Sequence, residues 1–167
     1  MESRLKVMGH PLHPMLVMFP VALLATAVLF DVVDIVGGPD FLGEVAYWNL
    51  TVGLVGALLA AAAGTVDLLA IPTGTRAKRV ALTHAAANVA LILLFAAVWA
   101  VRLNADSRAA GGALIAIEIV ALAILGVSAW LGGELVDRLG VGVDRDAGLD
   151  APSSLRPSTS PQRIGEV

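Results

Sequence analysis

The run Met15-Leu16-Val17-Met18-Phe19-Pro20-Val21-Ala22-Leu23-Leu24-Ala25-Thr26-Ala27-Val28-Leu29-Phe30-Asp31-Val32-Val33-Asp34-Ile35-Val36 decides the class of this chain. It follows Arg4 and Lys6 and contains Ala25-Thr26-Ala27, so its first half reads like a signal peptide with a small-residue cleavage site. The run continues well past Ala27, however, with Asp31 and Asp34 as its only charges, and so has spanning rather than signal length. Three further runs, near 45–71, 80–103 and 111–136, are also long enough to cross a hydrocarbon core of roughly 30 Å at about 1.5 Å per residue. A hydrophobic fraction of 57% with 15% charged residues fits the same reading.

Turn-like stretches separate the runs: Gly37-Gly38-Pro39-Asp40, Pro72-Thr73-Gly74-Thr75 and Asn104-Ala105-Asp106-Ser107. Short connections make neighbours antiparallel, so the expected fold is all-α, an up-down-up-down transmembrane four-helix bundle over 1–138. Beyond it, 139–167 is rich in Pro, Ser and Asp, and is expected to be a flexible tail. Arg4, Lys6, Arg76, Lys78, Arg79, Arg138, Arg145, Arg156 and Arg163 fall on one side and only Arg102 and Arg108 on the other. The bias places both termini in the cytoplasm of a bacterial inner membrane.

Composition also excludes several functions. The net charge is −3 and no basic stripe is interleaved with aromatics, which argues against nucleic acid as a partner. With no cysteine, the chain cannot form disulfides, ligate a metal through thiolate, hold an iron–sulfur cluster or attach haem covalently.

Polar residues inside the spans carry the functional signal, because ionisable groups are costly in a bilayer and turn toward the bundle interior. Asn49, Gly53, Gly56, Ala60, Gly64 and Asp67 recur at three- and four-residue steps and form one interior stripe. Its small residues suit close helix packing, with room for a flat cofactor as the alternative. His84, Asn88, Ile92, Phe95, Trp99 and Arg102 form a similar stripe on the third span. The topology then brings His10, His13, Asp67, His84, Asn88 and Glu134 to one depth at the cytoplasmic rim. Glu134 lies near a helix carboxyl end, where a carboxylate opposes the macrodipole, so a cationic or hydrogen-bonding partner is expected for it. Asp31, Asp34 and Glu118 are the outer acids, Glu118 on nearly the opposite face of its helix from Glu134, with Tyr47, Trp48 and Trp99 as interface anchors.

In Met8-Gly9-His10-Pro11-Leu12-His13-Pro14-Met15 each proline disfavours helical geometry in the histidine before it, so His10 and His13 are not expected to stack as a helical pair. Pro14 suits the first turn of the first span, and Pro20 is expected to bend that span. Two cofactor arrangements are conceivable. His10 or His13 with His84 could clamp haem b, with Met18 as a spare thioether ligand. Two or three of the histidines with Asp67 or Glu134 could instead hold a divalent metal ion, with Asn88 in support.

The segment from Gly9 to Val17, followed by Phe19-Pro20, resembles the opening signature of a bacterial membrane family catalogued as domain of unknown function 2231. Gly64 with Asp67, the Gly74-Thr75-Arg76 loop, His84 with Asn88, and Trp130 to Val136 before Gly140-Val141-Gly142-Val143 are similar to its later blocks. The resemblance implies a four-span inner-membrane protein of uncharacterised activity. Similar domains occur joined to Rieske or cytochrome c modules, which implies an electron-transfer setting with a separate redox protein as partner. Family members often carry His where this chain has Met18, and often His or a polar residue near Leu139. The competing reading is a non-catalytic accessory subunit that packs in a larger membrane complex or as a homo-oligomer, and a third is a proton path through Asp67, His84 and Glu134.

Overall fold

The computed structural model describes residues 1–105 and 108–155. Asp106 and Ser107 of the third connection, and the tail beyond 155 with Arg156 and Arg163, lie outside the described residues. Four long apolar helices make an antiparallel bundle: α1 (Leu12–Ile35), α2 (Leu42–Ala70), α3 (Arg76–Arg102) and α4 (Gly112–Gly133). The last turn after α4, Glu134–Arg138, widens into π-helical geometry. Before α1, strands β1 (Lys6–Val7) and β2 (His10–Pro11) form a small hairpin. Its two turn residues, Met8 and Gly9, both have positive φ, as a two-residue hairpin of this hand requires.

The helices begin three or four residues earlier than hydropathy suggests in α1, α2 and α3. In α3 the reason is visible: Thr75 caps the helix by accepting from the Lys78 amide, so the polar turn Arg76–Arg79 joins the helix. Lys78 then reaches back to the Leu68 carbonyl at 2.6 Å and gives it a second donor beside the Ile71 amide at the end of α2. Gly74, at φ +80°, provides the left-handed backbone of that turn.

Packing is tightest within two hairpins, α1 with α2 and α3 with α4, and looser along the α2–α3 and α1–α4 seams. The small-residue stripe of α2 explains the first hairpin. A β-carbon at Gly53 would stand 2.9 Å from a Leu24 methyl, and one at Gly56 would stand 3.3 Å from Pro20 Cδ. The stripe is therefore a close-packing surface for α1 rather than space for a flat cofactor. Leu24, Leu50, Leu91, Phe95, Val98 and Leu125 fill the centre of the bundle.

One end of the bundle carries the start of α1 and the end of α4, and the opposite end is locked by charge. Arg102, at the last turn of α3, is fully buried and donates to both Asp31 oxygens at 2.6 and 2.9 Å, to Glu118 Oε1 at 3.2 Å, and to the carbonyls of Gly43 and Arg108. Its five N–H groups are thus all engaged, and they join α1, α2, α3 and α4 at one point. Tyr47 is correspondingly buried beneath this cluster, with the Arg108 guanidinium 4.6 Å from its ring centroid, and is not an interface anchor. Trp48 remains half exposed on the same side, while Trp99 turns inward to donate to Thr51 Oγ1.

Removing one partner from a buried, hydrogen-bonded ion pair leaves the other charge uncompensated. Asp31→Ala should therefore cost about 3–5 kcal/mol of stability, measured by denaturation in detergent. Glu134→Ala, which breaks the 2.5 Å pair with half-exposed Arg76, should cost no more than about 1 kcal/mol.

Candidate functional site

Near the end that carries the start of α1 and the end of α4, the four helices separate around a cavity of about 170 Å³. His13 enters it from α1, Gly64 and Asp67 from α2, His84 and Asn88 from α3, and Gly132 from α4. A smaller void of about 50 Å³ adjoins it toward the bundle centre and shares His13, Ala61, Asn88 and Ile92 in its walls.

His13 occupies the first turn of α1, although a following proline disfavours helical geometry. Its ring is held from outside the helix: Nδ1 donates to the Ala60 carbonyl of α2 at 2.8 Å. Because a carbonyl only accepts, the hydrogen of the neutral ring sits on Nδ1, and Nε2 carries a lone pair that bonds no described residue. Gly64 makes the position possible, since a β-carbon there would stand 2.9 Å from His13 Cε1.

His84 is arranged differently. Its Nδ1 donates to the Ser128 carbonyl at 2.9 Å and lies 3.0 Å from Ser128 Oγ, while Nε2 accepts from the Asn88 amide at 3.0 Å. Ser128 Oγ completes the cycle by donating to Asn88 Oδ1 at 3.0 Å. His84, Asn88 and Ser128 thus form a closed hydrogen-bonded ring with both imidazole nitrogens in use. The two histidine rings stand edge to face, with centroids 6.5 Å apart.

The remaining sequence candidates lie elsewhere or serve other partners. Asp67 lines the cavity but is held by the amino-terminal segment, accepting from Ser3 Oγ at 2.8 and 3.0 Å and from the Arg4 amide at 2.7 Å. His10 is exposed in the hairpin, with Nδ1 on the Met8 carbonyl, and does not reach the cavity. Glu134 pairs with Arg76 on the rim, which supplies the cation its helix-end position calls for. Met18 is 65% exposed on the lipid-facing side of α1. The structure therefore brings together His13, His84, Asn88 and Asp67, but not His10, Glu134 or Met18.

These positions bear on the two cofactor arrangements. A bis-imidazole clamp on haem would need a nitrogen of His84 that is already bonded within the protein. Among the described residues, no group of three His, Asp or Glu side chains is placed to hold a metal ion. The side chains as arranged therefore do not fit either group.

Two features escaped the sequence reading. Ser128 closes the His84 ring, and it was legible by stepping along α4 from Glu118 through Ala121 and Leu125 at three- and four-residue intervals. The Arg102 cluster was the other: Arg102 ends the polar stripe of α3 at the depth of Asp31 and Glu118. Glu118 Oε2 is the one buried side-chain nitrogen or oxygen among the described residues that has no hydrogen-bond partner.

A family profile described as "Predicted membrane protein (DUF2231)" matches residues 9–145, which include every wall of the cavity. The chain belongs to this family. No curated protein and no solved structure matches it. For this DUF2231 protein the multi-pass membrane fold is established, and the chemistry must be argued from the cavity.

Gly64→Ala tests how closely α2 and His13 approach. The imidazole must move to admit the methyl group, and overpacking of this kind should cost about 1–3 kcal/mol of stability. The Nδ1 proton signal of His13 in NMR spectra should shift as its bond to Ala60 is strained. Unchanged stability and an unchanged signal would contradict the close approach.

Proposed function

We propose that this protein binds a small hydroxyl-bearing molecule within the bacterial inner membrane, with His13 Nε2 as the recognising atom. One observation carries the reading. Among the histidines that face the cavity, only His13 presents a ring nitrogen that bonds none of the described residues, and its tautomer makes that nitrogen an acceptor. A ligand O–H can donate to it while apolar walls enclose the rest of the molecule. Size supports a ring compound, since an engineered apolar cavity of ~150 Å³ binds benzene. His84 serves as wall and support, fixed by Asn88 and Ser128.

The setting we infer is membrane redox chemistry, because ring compounds with donating hydroxyls are the quinol-class carriers of such membranes. Both termini are placed in the cytoplasm on the strength of the nine-to-two distribution of basic residues.

Binding of a methylated hydroquinone to purified protein, followed by calorimetry, separates these readings. His13→Leu preserves the volume but removes the acceptor, and affinity should fall about tenfold, equivalent to about 1.4 kcal/mol. Unchanged helicity in circular dichroism would show that the variant folds. Equal affinity in both proteins would overturn the role of His13. A Soret band or stoichiometric metal that His13→Leu abolishes would replace the ligand with a cofactor. No binding of any kind would leave the accessory-subunit reading. A reporter fused to the carboxyl end should be active only in the cytoplasm.

A further inference from the structure

The two ends of the cavity differ in what closes them. Toward the start of α1 and the end of α4 it is covered by a second apolar cluster, in which Met1, Leu139 and Val141 pack on Ile71, Ala81 and Leu135. Backbone bonds tie this plug together: the Met1 amino group donates to the Gly140 carbonyl and the Gly142 amide donates to the Met1 carbonyl, each at 2.7 Å. Ser3 and Arg4, bonded to Asp67, fasten the amino-terminal segment across the same end.

The side of the cavity is less closed. Along the loosely packed α2–α3 seam its wall is Ala61 and Thr65 from α2, and Ala85 and Val89 from α3. Thr65 and Val89 are exposed on the bundle surface and also line the cavity, so the wall between them is one residue thick. This rim is apolar throughout. Thr65 directs its hydroxyl to the Ala61 carbonyl at 2.8 Å and so leaves no donor at the opening. A polar solute would find a dehydrated side opening and a plugged aqueous end, whereas an amphiphile dissolved in the bilayer meets the side opening directly.

From this asymmetry we infer that the ligand is a membrane-dissolved amphiphile of the quinol class, which reaches His13 from the lipid through a side portal between α2 and α3. The inference rests on the ligand-binding reading above and adds the membrane-dissolved state of the ligand and its route to the site. The hydroxyl head goes to His13 Nε2, and the tail stays in the portal and the surrounding bilayer. Pro14 and Val136 line the α1–α4 side of the cavity and are also exposed, and that seam is packed more loosely still. Pro14 lies in the first turn of α1 and Val136 beyond the end of α4, whereas Thr65 and Val89 lie within their helices, so the α1–α4 seam is the comparison.

Because the chain contains no cysteine, one introduced thiol can be labelled selectively. The full-length protein is reconstituted in lipid nanodiscs as Thr65→Cys and, separately, as Val136→Cys, each with and without a bulky maleimide. Association of a decyl-substituted hydroquinone is followed by stopped-flow fluorescence. Labelled Thr65→Cys should bind at least tenfold more slowly than its unlabelled form, with labelled Val136→Cys unaffected. Ser3→Ala, which removes the hydroxyl bonds to Asp67 and loosens the amino-terminal segment, should leave the rate unchanged. A rate slowed only by the Val136 label, or raised only by Ser3→Ala, would overturn the portal while leaving the binding reading intact. Faster binding of a tail-less, water-soluble hydroquinone than of the decyl compound would overturn the ligand class. Failure of the unlabelled, unsubstituted protein to bind either compound would remove the binding reading and this inference together.

Discussion

The structure depends on a single guanidinium. Arg102 is fully buried in a bundle whose surroundings are hydrocarbon, and such a charge is tolerable only when every donor is satisfied and a countercharge lies in contact. Asp31 supplies the countercharge in a two-point grip, Glu118 takes a further donor, and two backbone carbonyls take the rest. No partial version of this arrangement is stable, because a missing partner exposes the others to the full cost of burial. The cluster therefore fixes the relative register of all four helices at one end of the molecule.

With that end locked, the other end can be built differently. There imidazoles replace the buried ion pair, and the charged groups Asp67, Arg76 and Glu134 are taken up by the amino-terminal segment and by each other on the rim. Each imidazole is held by a backbone carbonyl on a neighbouring helix: Ala60 for His13 and Ser128 for His84. Glycines at 64 and 132 provide the space those rings occupy. The two histidines differ only in what meets the second nitrogen. Asn88 fills that role for His84, and nothing among the described residues fills it for His13. This difference turns a structural pair into an asymmetric site with one open acceptor.

Much of this was legible in the sequence. Four spans, short connections and antiparallel order follow from hydropathy and turn residues. The interior stripes of α2 and α3 follow from helical periodicity, since residues at three- and four-residue steps share a face whatever the tertiary contacts. Periodicity also put Glu118 and Glu134 on different faces of the fourth helix, which is why only Glu118 reaches the interior. Depth was legible as well, because topology and rise per residue place His13, Asp67 and His84 near the same end.

The sequence by itself determined the solvent of this protein, its helix count, its antiparallel order and the faces its helices turn inward, because these follow from apolar length and local geometry. Only the tertiary structure decided which polar groups satisfy one another. His10 and His13 are three residues apart, yet one lies in an exposed hairpin and the other in a helix facing α2, a separation set by where the first helix starts. Asp67 was equally available to a metal or to a basic loop, and the amino-terminal segment took it through Ser3 and Arg4. Pairings between distant residues depend on angstrom-scale distances between helices, which periodicity does not encode. The open nitrogen of His13 is likewise visible only once every neighbouring donor has been placed.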